Sequence, residues 1–534
     1  MRKQEIHIKN TQDYSNLSRE ELLGVIKSLN IENIELKAQN DWFHEQLKDS
    51  KRHRFGQSSE KIPKEQLNFF NEAEAASDEK TKEPEMEDIT YRRRKKKKGK
   101  REDDLSSLPE ETVIHELDES ECNCPNCSGK LEEFGKEERH LLEYIPASFK
   151  HIREITKKYI CRDCEKNDET TIVRANAPKP LISGSIATPS LVSGIINGKY
   201  VNAIPLYRQE KEFKRNGIFI NRQNMANWVI ICAERYLKSV YERMRTSLLS
   251  REILAADETT TQVLKEPGRK ATTKSFMWLY RTVGEQKPVV IFDYQQTRQQ
   301  EHPRNFLGNF KGYLHCDGYQ CYHGLSEDIV IVGCFAHSRR RFESAWKMIP
   351  ENARKDSQAH IGLGFCNKLF KIEKEIKDLS LDEIQKARKE RSKPVLDKFY
   401  AWLKETKPLV PEKSKIGDAI SYTLNQWKYL VNYLLDPRLR ISNNETEQKI
   451  RSYVVPRKNF LFHDTMKGAS SSATVFSIVE TAKANNLRPY EYIKFLLENI
   501  PKIDFENNPD EIDNLLPWSP NIPEYCISME KKFD

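Results

Sequence analysis

The sequence lacks any long apolar run. No stretch reaches the roughly 18 consecutive apolar residues that a membrane-spanning helix needs, so we expect no membrane span. The N-terminus also lacks the apolar core of a secretory signal peptide, which predicts a cytoplasmic protein with reduced thiols. Charge is abundant instead: 31% of the 534 residues are charged, and the mean hydropathy is −0.75. This composition predicts polar linkers, and the length of the chain is enough for about three or four folded domains.

The charge is unevenly distributed. The net charge of +8 is compatible with a polyanionic partner such as nucleic acid. Residues 71–104 contain an acidic block and then a basic run, Arg92–Arg101. Like-charge blocks repel themselves, so this segment is predicted to be a disordered linker. Its basic run could contact DNA phosphates without sequence preference, or it could simply be solvated.

A heptad pattern occupies residues 15–60. Apolar residues and two asparagines recur at alternating steps of four and three, which is the period of a coiled coil. The asparagines fall at a positions, where they cost stability but favour a parallel two-stranded coil in one register. The pattern therefore predicts a dimerisation helix, with a helix packed on its own domain as the alternative. The positions are Leu22, Ile26, Leu29, Asn33, Leu36, Asn40, Phe43 and Leu47.

Cysteines cluster in residues 110–175 as two C-x-x-C pairs. Two residues between thiolates allow one tight turn to direct both toward a tetrahedral metal ion. The intervening segment 141–160 alternates in a way that predicts hairpin strands. Together these features predict a zinc ribbon with a structural Zn²⁺; two separate redox pairs are the alternative. The predicted ligands are Cys124, Cys127, Cys161 and Cys164, and Cys122 could replace Cys124.

Residues 185–247 have a helical pattern. One predicted helix spans 205–215, and a turn containing Gly217 leads to another from Asn221 to about Met244. A helix, a short glycine turn and a second helix are typical of a helix-turn-helix, although plain helical bundles share this arrangement. A DNA-reading helix would present Arg222, Asn224 and Asn227 near its N-terminal end.

Two acids follow apolar strand-like runs in residues 250–337. Asp257 ends the run that begins at Ile253, and Asp317 ends the run that begins at Gly312. Between them lie two further predicted strands, 275–283 and 288–293, and a helix, 303–310. This order of elements is that of an α/β ribonuclease H-like core. Acids at the ends of neighbouring strands lie about 5 Å apart, where they repel each other unless a cation lies between them.

Several ordered motifs resemble the large, TnpC-type transposase of the insertion-sequence-sixty-six family, which has a DDE catalytic core. The resemblance runs from the heptad region nearly to residue 500. It implies that Asp257 and Asp317 are the first two catalytic acids, and that they bind two Mg²⁺ or Mn²⁺ ions. Besides the two C-x-x-C pairs, the motifs are Phe55–Lys61, Lys199–Arg208, Ala256–Thr259, Cys334–Phe342, Arg457–Phe462 and Glu480–Lys483.

The third catalytic acid is expected within Leu439–Arg451, in residues 437–500, the second part of the core. The resemblance selects Glu447, although Ser442 stands where the family usually has Asp. Ser442 and Glu445 also have the spacing of a capping box, which predicts a structural role for Glu445. A cap formed by Asn444 is the alternative role for Glu447.

The remaining segments complete the expected organisation. Residues 338–436 have a charged, helical pattern that predicts an α-helical insertion, and residues 501–534 are predicted to be a poorly ordered tail. A helix is expected from Ser471 to Ala484, after a turn formed by residues 468–472. Outside the helix-turn-helix, the basic residues predicted to bind DNA are Arg339, Arg340, Arg451, Arg457 and Lys458.

These features predict a DDE transposase that cleaves DNA at transposon ends and transfers the strand into target DNA. The resemblance implies terminal inverted repeats as substrate, a homodimer or higher oligomer, small accessory proteins as possible partners, and a location at the bacterial nucleoid. Two alternatives remain. One is a catalytically inactive zinc-ribbon and helix-turn-helix regulator, and the other is a hydrolase of another class, such as a two-carboxylate glycosidase.

Overall fold

The structure is a computed structural model that describes residues 18–55, 112, 148–160, 172–284, 287–505 and 507–528. The chain divides into two compact units, one formed by Met1–Gly56 with Pro178–Asp534 and the other by Gln57–Ala177. In the smaller unit, β1 (Lys158–Ile160) pairs antiparallel with β2 (Ile172–Arg174). The predicted zinc ligands, Cys122 and the charged linker 71–104 lie outside the described residues.

Helix α1 (Arg19–Phe55) contains the heptad pattern. One side of α1 packs on the rest of the larger unit. Ala38 and Glu45 are buried there, and the Glu45 carboxylate accepts a hydrogen bond from the Lys415 amide at 2.9 Å. The stripe of a and d positions points elsewhere, because its large apolar side chains are about half exposed or more. They are Ile26, Leu29, Leu36, Phe43 and Leu47.

A helical region precedes the sheet. Helix α2 (Pro189–Ile196) begins with Thr188 as its N-cap, and α3 (Leu206–Arg215) follows. Helix α4 (Arg222–Cys232) is capped by the Asn221 side chain and continues through a π-helical segment into α5 (Lys238–Leu249). The observed helices thus agree with the predicted helix, glycine turn and helix.

A mixed sheet forms the centre of the larger unit. The strand order is β5-β4-β3-β6-β7, with the first three antiparallel and the last three parallel. The central strand β3 continues past the apolar run that predicted it, and its distal half pairs with β8. The bounds are β3 Ile253–Lys265, β4 Lys274–Thr282, β5 Val290–Gln295, β6 Gly312–His315, β7 Ile329–Val332 and β8 His463–Thr465, with α6 Glu301–Leu307 between β5 and β6.

The predicted insertion is helical and has a core of its own, in which Phe342, Phe399 and Trp402 pack together. It begins with α7, whose first turn follows β7 directly. Between α9 and α10 the chain remains helical through a π-helical segment. The helices are α7 Phe335–Met348, α8 Gln358–Ile376, α9 Leu381–Ala387, α10 Lys393–Thr406 and α11 Lys415–Leu430.

Two helices return to the sheet, α12 (Asn444–Phe460) and α13 (Met466–Ala484), and α14 (Pro489–Asn499) packs against α13 and α2. Helix α13 covers the edge strand β5, whose Phe292 and Val290 amides donate to the Ser477 and Thr481 hydroxyls at 2.7 and 3.0 Å. These bonds satisfy an edge that would otherwise be free to pair. No helix in the described part of the chain is long and apolar enough to cross a membrane.

Two local predictions at the C-terminal end are wrong. Residues 468–472 are not a turn, because α13 already begins at Met466, where the Thr465 hydroxyl caps the Gly468 amide at 3.1 Å. The tail is not loose over its described residues, because the buried side chains of Ile512 and Cys526 anchor it to the main core. Sparse apolar residues among many polar ones concealed this packing in the sequence.

Candidate active site

Asp257 and Asp317 are brought together by the parallel pairing of β3 and β6. Leu254 is aligned with Leu314 and Ala255 with His315, so extending the register by two residues places Asp257 opposite Asp317. The Asp317 carboxylate accepts a hydrogen bond from the Tyr319 amide at 2.9 Å, which fixes it at the end of its strand. The backbone register therefore brings the two predicted acids to the same part of the sheet.

The two carboxylates lie in a crowded electrostatic environment. Burial, together with the negative charges of Glu258, Asp317 and Glu447, raises the pKa of Asp257 to about 8. A raised pKa means that the folded protein resists a full negative charge at this point. A cation between the acids would remove that penalty.

Asn443 anchors the start of α12 to both the sheet and the insertion. Its side-chain amide donates to the Ala256 carbonyl of β3 at 3.0 Å, and its backbone amide donates to the Cys334 sulfur at 3.1 Å. The Phe335 amide of α7 also donates to the Ile441 carbonyl at 3.0 Å. These bonds fix the first turn of α12, which carries Glu447, beside the strand that carries Asp257.

The predicted capping box is wrong. Helix α12 begins at Asn444 with Asn443 as its N-cap residue, so Ser442 lies one position too early to cap it. Glu445 is nevertheless engaged in structure, because it pairs with Arg281 of β4 at 2.7 Å, and this ion pair lowers the Glu445 pKa even though burial acts against it. Glu445 therefore has a structural role, as the sequence predicted, but this role is the ion pair with Arg281 and not a capping box.

Glu447 faces basic side chains from the first turns of α7. His337 Nε2 lies 3.2 Å from a Glu447 carboxylate oxygen, and the Arg340 guanidinium also donates to this oxygen. Burial would raise the Glu447 pKa, but the hydrogen bonds from His337 and Arg340 and their charges lower it overall. Glu447 is thus held as a carboxylate in a half-buried position.

Glu447 is nearer to α7 than to the aspartates. Among the described residues, metal-ligating atoms come within 4.8 Å of one another in one group of three, Cys334, His337 and Glu447. The oxygens of Asp257, Asp317 and Glu447 do not form such a group. The three predicted catalytic acids therefore share one electrostatic environment without converging on a single point.

Glu258 and Arg298 border the site and were not predicted. Because side chains alternate along β3, Glu258 points to the opposite face from Asp257, and its side chain is 1% exposed. It accepts hydrogen bonds from Arg298 Nε at 2.7 Å and from the Tyr322 hydroxyl. The Arg298 guanidinium stacks over the Tyr319 ring and lies 4.0 Å from Asp317. No local sequence signal links residues 258 and 298.

The basic residues predicted to bind DNA are found in different settings. Arg340 contacts Glu447, while Arg339 is bonded to Asn367 and Glu343 within the insertion. Arg457 stacks loosely on Tyr453, 6.0 Å from the ring centroid. The remaining predicted residues are exposed: Arg222, Asn224 and Asn227 on the first turns of α4, and Arg451 and Lys458 on α12.

Comparison with known proteins gives consistent matches along the chain. The family model for the Transposase IS66 family matches residues 184–471, and the model for the IS66 C-terminal element matches residues 477–518. Residues 121–165 match the zinc-finger binding domain of transposase IS66, and residues 42–113 match a domain described as Transposase C of IS166 homeodomain.

Curated relatives cover most of the chain. The uncharacterized protein y4jD of Sinorhizobium fredii (strain NBRC 101917 / NGR234) is 30% identical over 425 residues, covering 77% of this chain and 80% of that protein. The uncharacterized protein y4hP of the same organism is 28% identical over 420 residues, covering 74% and 73%. These names assign no activity, so the chemistry must be argued from the site.

Proposed function

Because this chain belongs to the IS66 family of transposases, the insertion-sequence-sixty-six family, we propose that it cleaves transposon-end DNA and transfers the strand through Asp257, Asp317 and Glu447. We further propose that its sheet is a ribonuclease H-like core. The strand order β5-β4-β3-β6-β7, with an antiparallel half and a parallel half, supports this proposal. So does the position of the helical insertion between the two parts of the core.

The observation that carries the proposal is the alignment of Asp257 with Asp317 across neighbouring parallel strands, within reach of the Glu447 charge. The crowded acids suit a divalent cation, since such an ion would relieve the repulsion that raises the Asp257 pKa. Two Mg²⁺ or Mn²⁺ ions, when bound, would stabilise the attacking and leaving oxygens of phosphoryl transfer. Such ions lie about 4 Å apart, so the three acids need not meet at one point.

The protein's own side chains have distinct tasks in this proposal. Asp257 and Asp317, aligned by the pairing of β3 with β6, would hold the metal ions from the sheet. Glu447, on α12, would be the third residue to hold the metal ions, in place of its contacts with Arg340 and His337. Arg298, fixed by Glu258 and Tyr319, lies close enough to Asp317 to contact a phosphate bound there. Arg451, one turn after Glu447, extends the positive surface along the helix.

The direct experiment is metal-dependent nicking of DNA that carries the terminal inverted repeats. We expect Asp317→Asn to abolish nicking in Mg²⁺ or Mn²⁺, because it removes one of the two aligned carboxylates. The matched control is Asp328→Asn, which changes an exposed carboxylate between β6 and β7 that pairs with Lys311 at 3.2 Å. Full nicking by Asp317→Asn would refute the proposal and would favour a DNA-binding regulator.

We also propose that the exposed stripe of α1 joins protomers, and that α4 and the zinc ribbon contact the transposon ends. The stripe supports the first part because five large apolar side chains along it remain exposed. Leu29→Glu should convert the oligomer to monomers in sedimentation analysis, since a charge at a d position opposes a coiled coil. Ser28→Glu places the same charge one residue earlier, outside the stripe, and should leave the oligomer intact. Equal behaviour of the two variants would contradict a coiled-coil interface.

A further inference from the structure

The group formed by Cys334, His337 and Glu447 has a chemistry that the aspartate pair does not share. Cys334 is the N-cap residue of α7, His337 lies in the first turn of that helix, and Glu447 lies in the first turn of α12. Their ligating atoms all come within 4.8 Å of one another. We propose that these three side chains form a second metal site, which binds a thiophilic divalent ion such as Zn²⁺ or Co²⁺.

The donor set defines the class of ion. Cysteine sulfur and imidazole nitrogen suit Zn²⁺ and related transition metals, whereas Mg²⁺ takes oxygen ligands almost exclusively. Three protein ligands with the fourth position open form the usual arrangement of an accessible zinc site. One thiolate and one carboxylate together neutralise a doubly charged ion. The site is therefore balanced in charge with the neutral form of His337.

The distances need only a small adjustment. Ligands about 2.0–2.3 Å from a tetrahedral Zn²⁺ lie roughly 3.3–3.8 Å from one another. His337 Nε2 and the Glu447 oxygen are already 3.2 Å apart. The remaining movement is small, and His337 is free to make it because its side chain is 30% exposed. Arg340 must release Glu447, and its side chain, 49% exposed, can turn into solvent.

The surroundings of Cys334 act on its sulfur in opposite directions: burial raises the pKa of the thiol to about 11, whereas the backbone amides around it lower that pKa. Its sulfur accepts a hydrogen bond from the Asn443 amide at 3.1 Å and lies at the N-terminus of α7, beside the backbone amides of Ala336 and His337. Amides at a helix N-terminus stabilise an anion. When a metal ion binds, the S–H bond breaks, the sulfur keeps the electron pair for the metal, and the proton passes to solvent.

Sharing Glu447 has a consequence that rests on the proposed function. An ion bound to Cys334 and His337 would keep the Glu447 carboxylate on the α7 side, away from Asp257 and Asp317. Zn²⁺ would then oppose the Mg²⁺-dependent reaction by occupying a ligand rather than by replacing Mg²⁺ between the aspartates. The metal site itself does not depend on catalysis, so binding can be measured without DNA.

The test is a Co²⁺ titration of the full-length protein supplied with one equivalent of Zn²⁺, enough for the predicted four-cysteine site alone, read by the sulfur-to-cobalt charge-transfer absorption. We expect about one equivalent of Co²⁺ to produce this absorption in the wild type, and excess Mg²⁺ to leave it unchanged because Mg²⁺ does not compete for sulfur. Cys334→Ser should abolish it. His337→Gln and Glu447→Gln should keep the sulfur but weaken Co²⁺ binding at least about tenfold.

Cys366→Ser is the matched control, since Cys366 is another fully buried thiol, on α8 of the insertion, outside the proposed ligand group. It should bind Co²⁺ as the wild type does. Identical titrations of the wild type and Cys334→Ser would overturn the proposal, whether both show the absorption or neither does. So would wild-type affinity in His337→Gln, a variant at a partly exposed position that is expected to fold. Loss of nicking in Asp317→Asn is a separate result, so the two proposals can fail independently.

Discussion

The two halves of the candidate site treat negative charge in opposite ways. In the sheet half, Asp257 and Asp317 lie together, and burial and neighbouring acids raise the Asp257 pKa to about 8. In the helical half, Glu447 has His337 and Arg340 beside it, and its pKa is lowered. In the sheet half the acids therefore outweigh the positive charge of Arg298, and a metal ion can supply the difference, whereas the helical half brings its own positive charge. A site divided in this way can hold its acids in place before a metal ion arrives.

The largest expected effect distinguishes the two glutamates of α12. Glu447→Gln should lower the nicking rate by about 10³-fold, since it removes a carboxylate that would hold the metal ions stabilising the transition state. Glu445→Gln should change the rate only a few-fold, because Glu445 pairs with Arg281 on the neighbouring strand. Both rates are measured with the same end-containing DNA. Comparable losses in the two variants would show that Glu447 and Glu445 do not have the separate roles proposed for them.

A smaller effect is expected when the ion pair between Arg298 and Glu258, in the sheet half, is removed. Glu258→Gln removes the carboxylate that Arg298 contacts most closely and leaves Asp317, 4.0 Å away, as an acidic neighbour, so the free energy of unfolding should fall by about 2 kcal/mol, below the range for fully buried pairs because Arg298 is partly exposed. Denaturant unfolding measures this. Glu301→Gln changes an exposed glutamate of α6 and should leave stability unchanged. An unaltered midpoint for Glu258→Gln would mean that Arg298 is not held by this pair.

The smallest effect concerns pH. The folded-state pKa of Asp257 lies above its unfolded value of about 3.9, so its contribution to stability is fully present below pH ~4 and is lost as the pH rises through 8. Asp257→Asn should therefore gain Tm relative to the metal-free wild type between pH 5 and pH 9, by at least about 2 °C. Added Mg²⁺ should reduce the difference at pH 9. A difference in Tm that is constant with pH would show that the pKa of Asp257 is not raised in the folded protein.

Part of this site could be predicted from the sequence because its signals are local. The apolar run that ends in Asp317 predicts the end of β6 to within two residues, but the predicted strand end at Asp257 is wrong, because β3 continues to Lys265. The alignment of the two acids follows from the pairing of β3 with β6. The N-cap of α12 could not be predicted, because Asn443 is fixed by the Ala256 carbonyl, which is distant in the chain. Arg298 and Glu258 lie 40 residues apart, and they meet only after β3, β4 and β5 are assembled.

The fold shows the same division between local and distant causes. The order of strands and helices in the core follows from periodicity and from turn residues, and the insertion follows from its charged helical pattern. The C-terminal segment was misjudged, since Ile512 and Cys526 are isolated in the sequence and become core residues only against helices formed earlier in the chain. The packing of α1 on the insertion through Ala38 and Glu45 likewise has no signal in the heptad itself.

The central claim is that Asp257 binds a catalytic metal ion together with Asp317 and Glu447. It is tested most directly by nicking with Asp257→Cys in Mg²⁺ and in Mn²⁺. Mg²⁺ binds sulfur poorly and Mn²⁺ accepts it more readily, so the variant should be inactive in Mg²⁺ and should recover at least about tenfold in Mn²⁺. Wild-type activity of Asp257→Cys in Mg²⁺ would contradict the account.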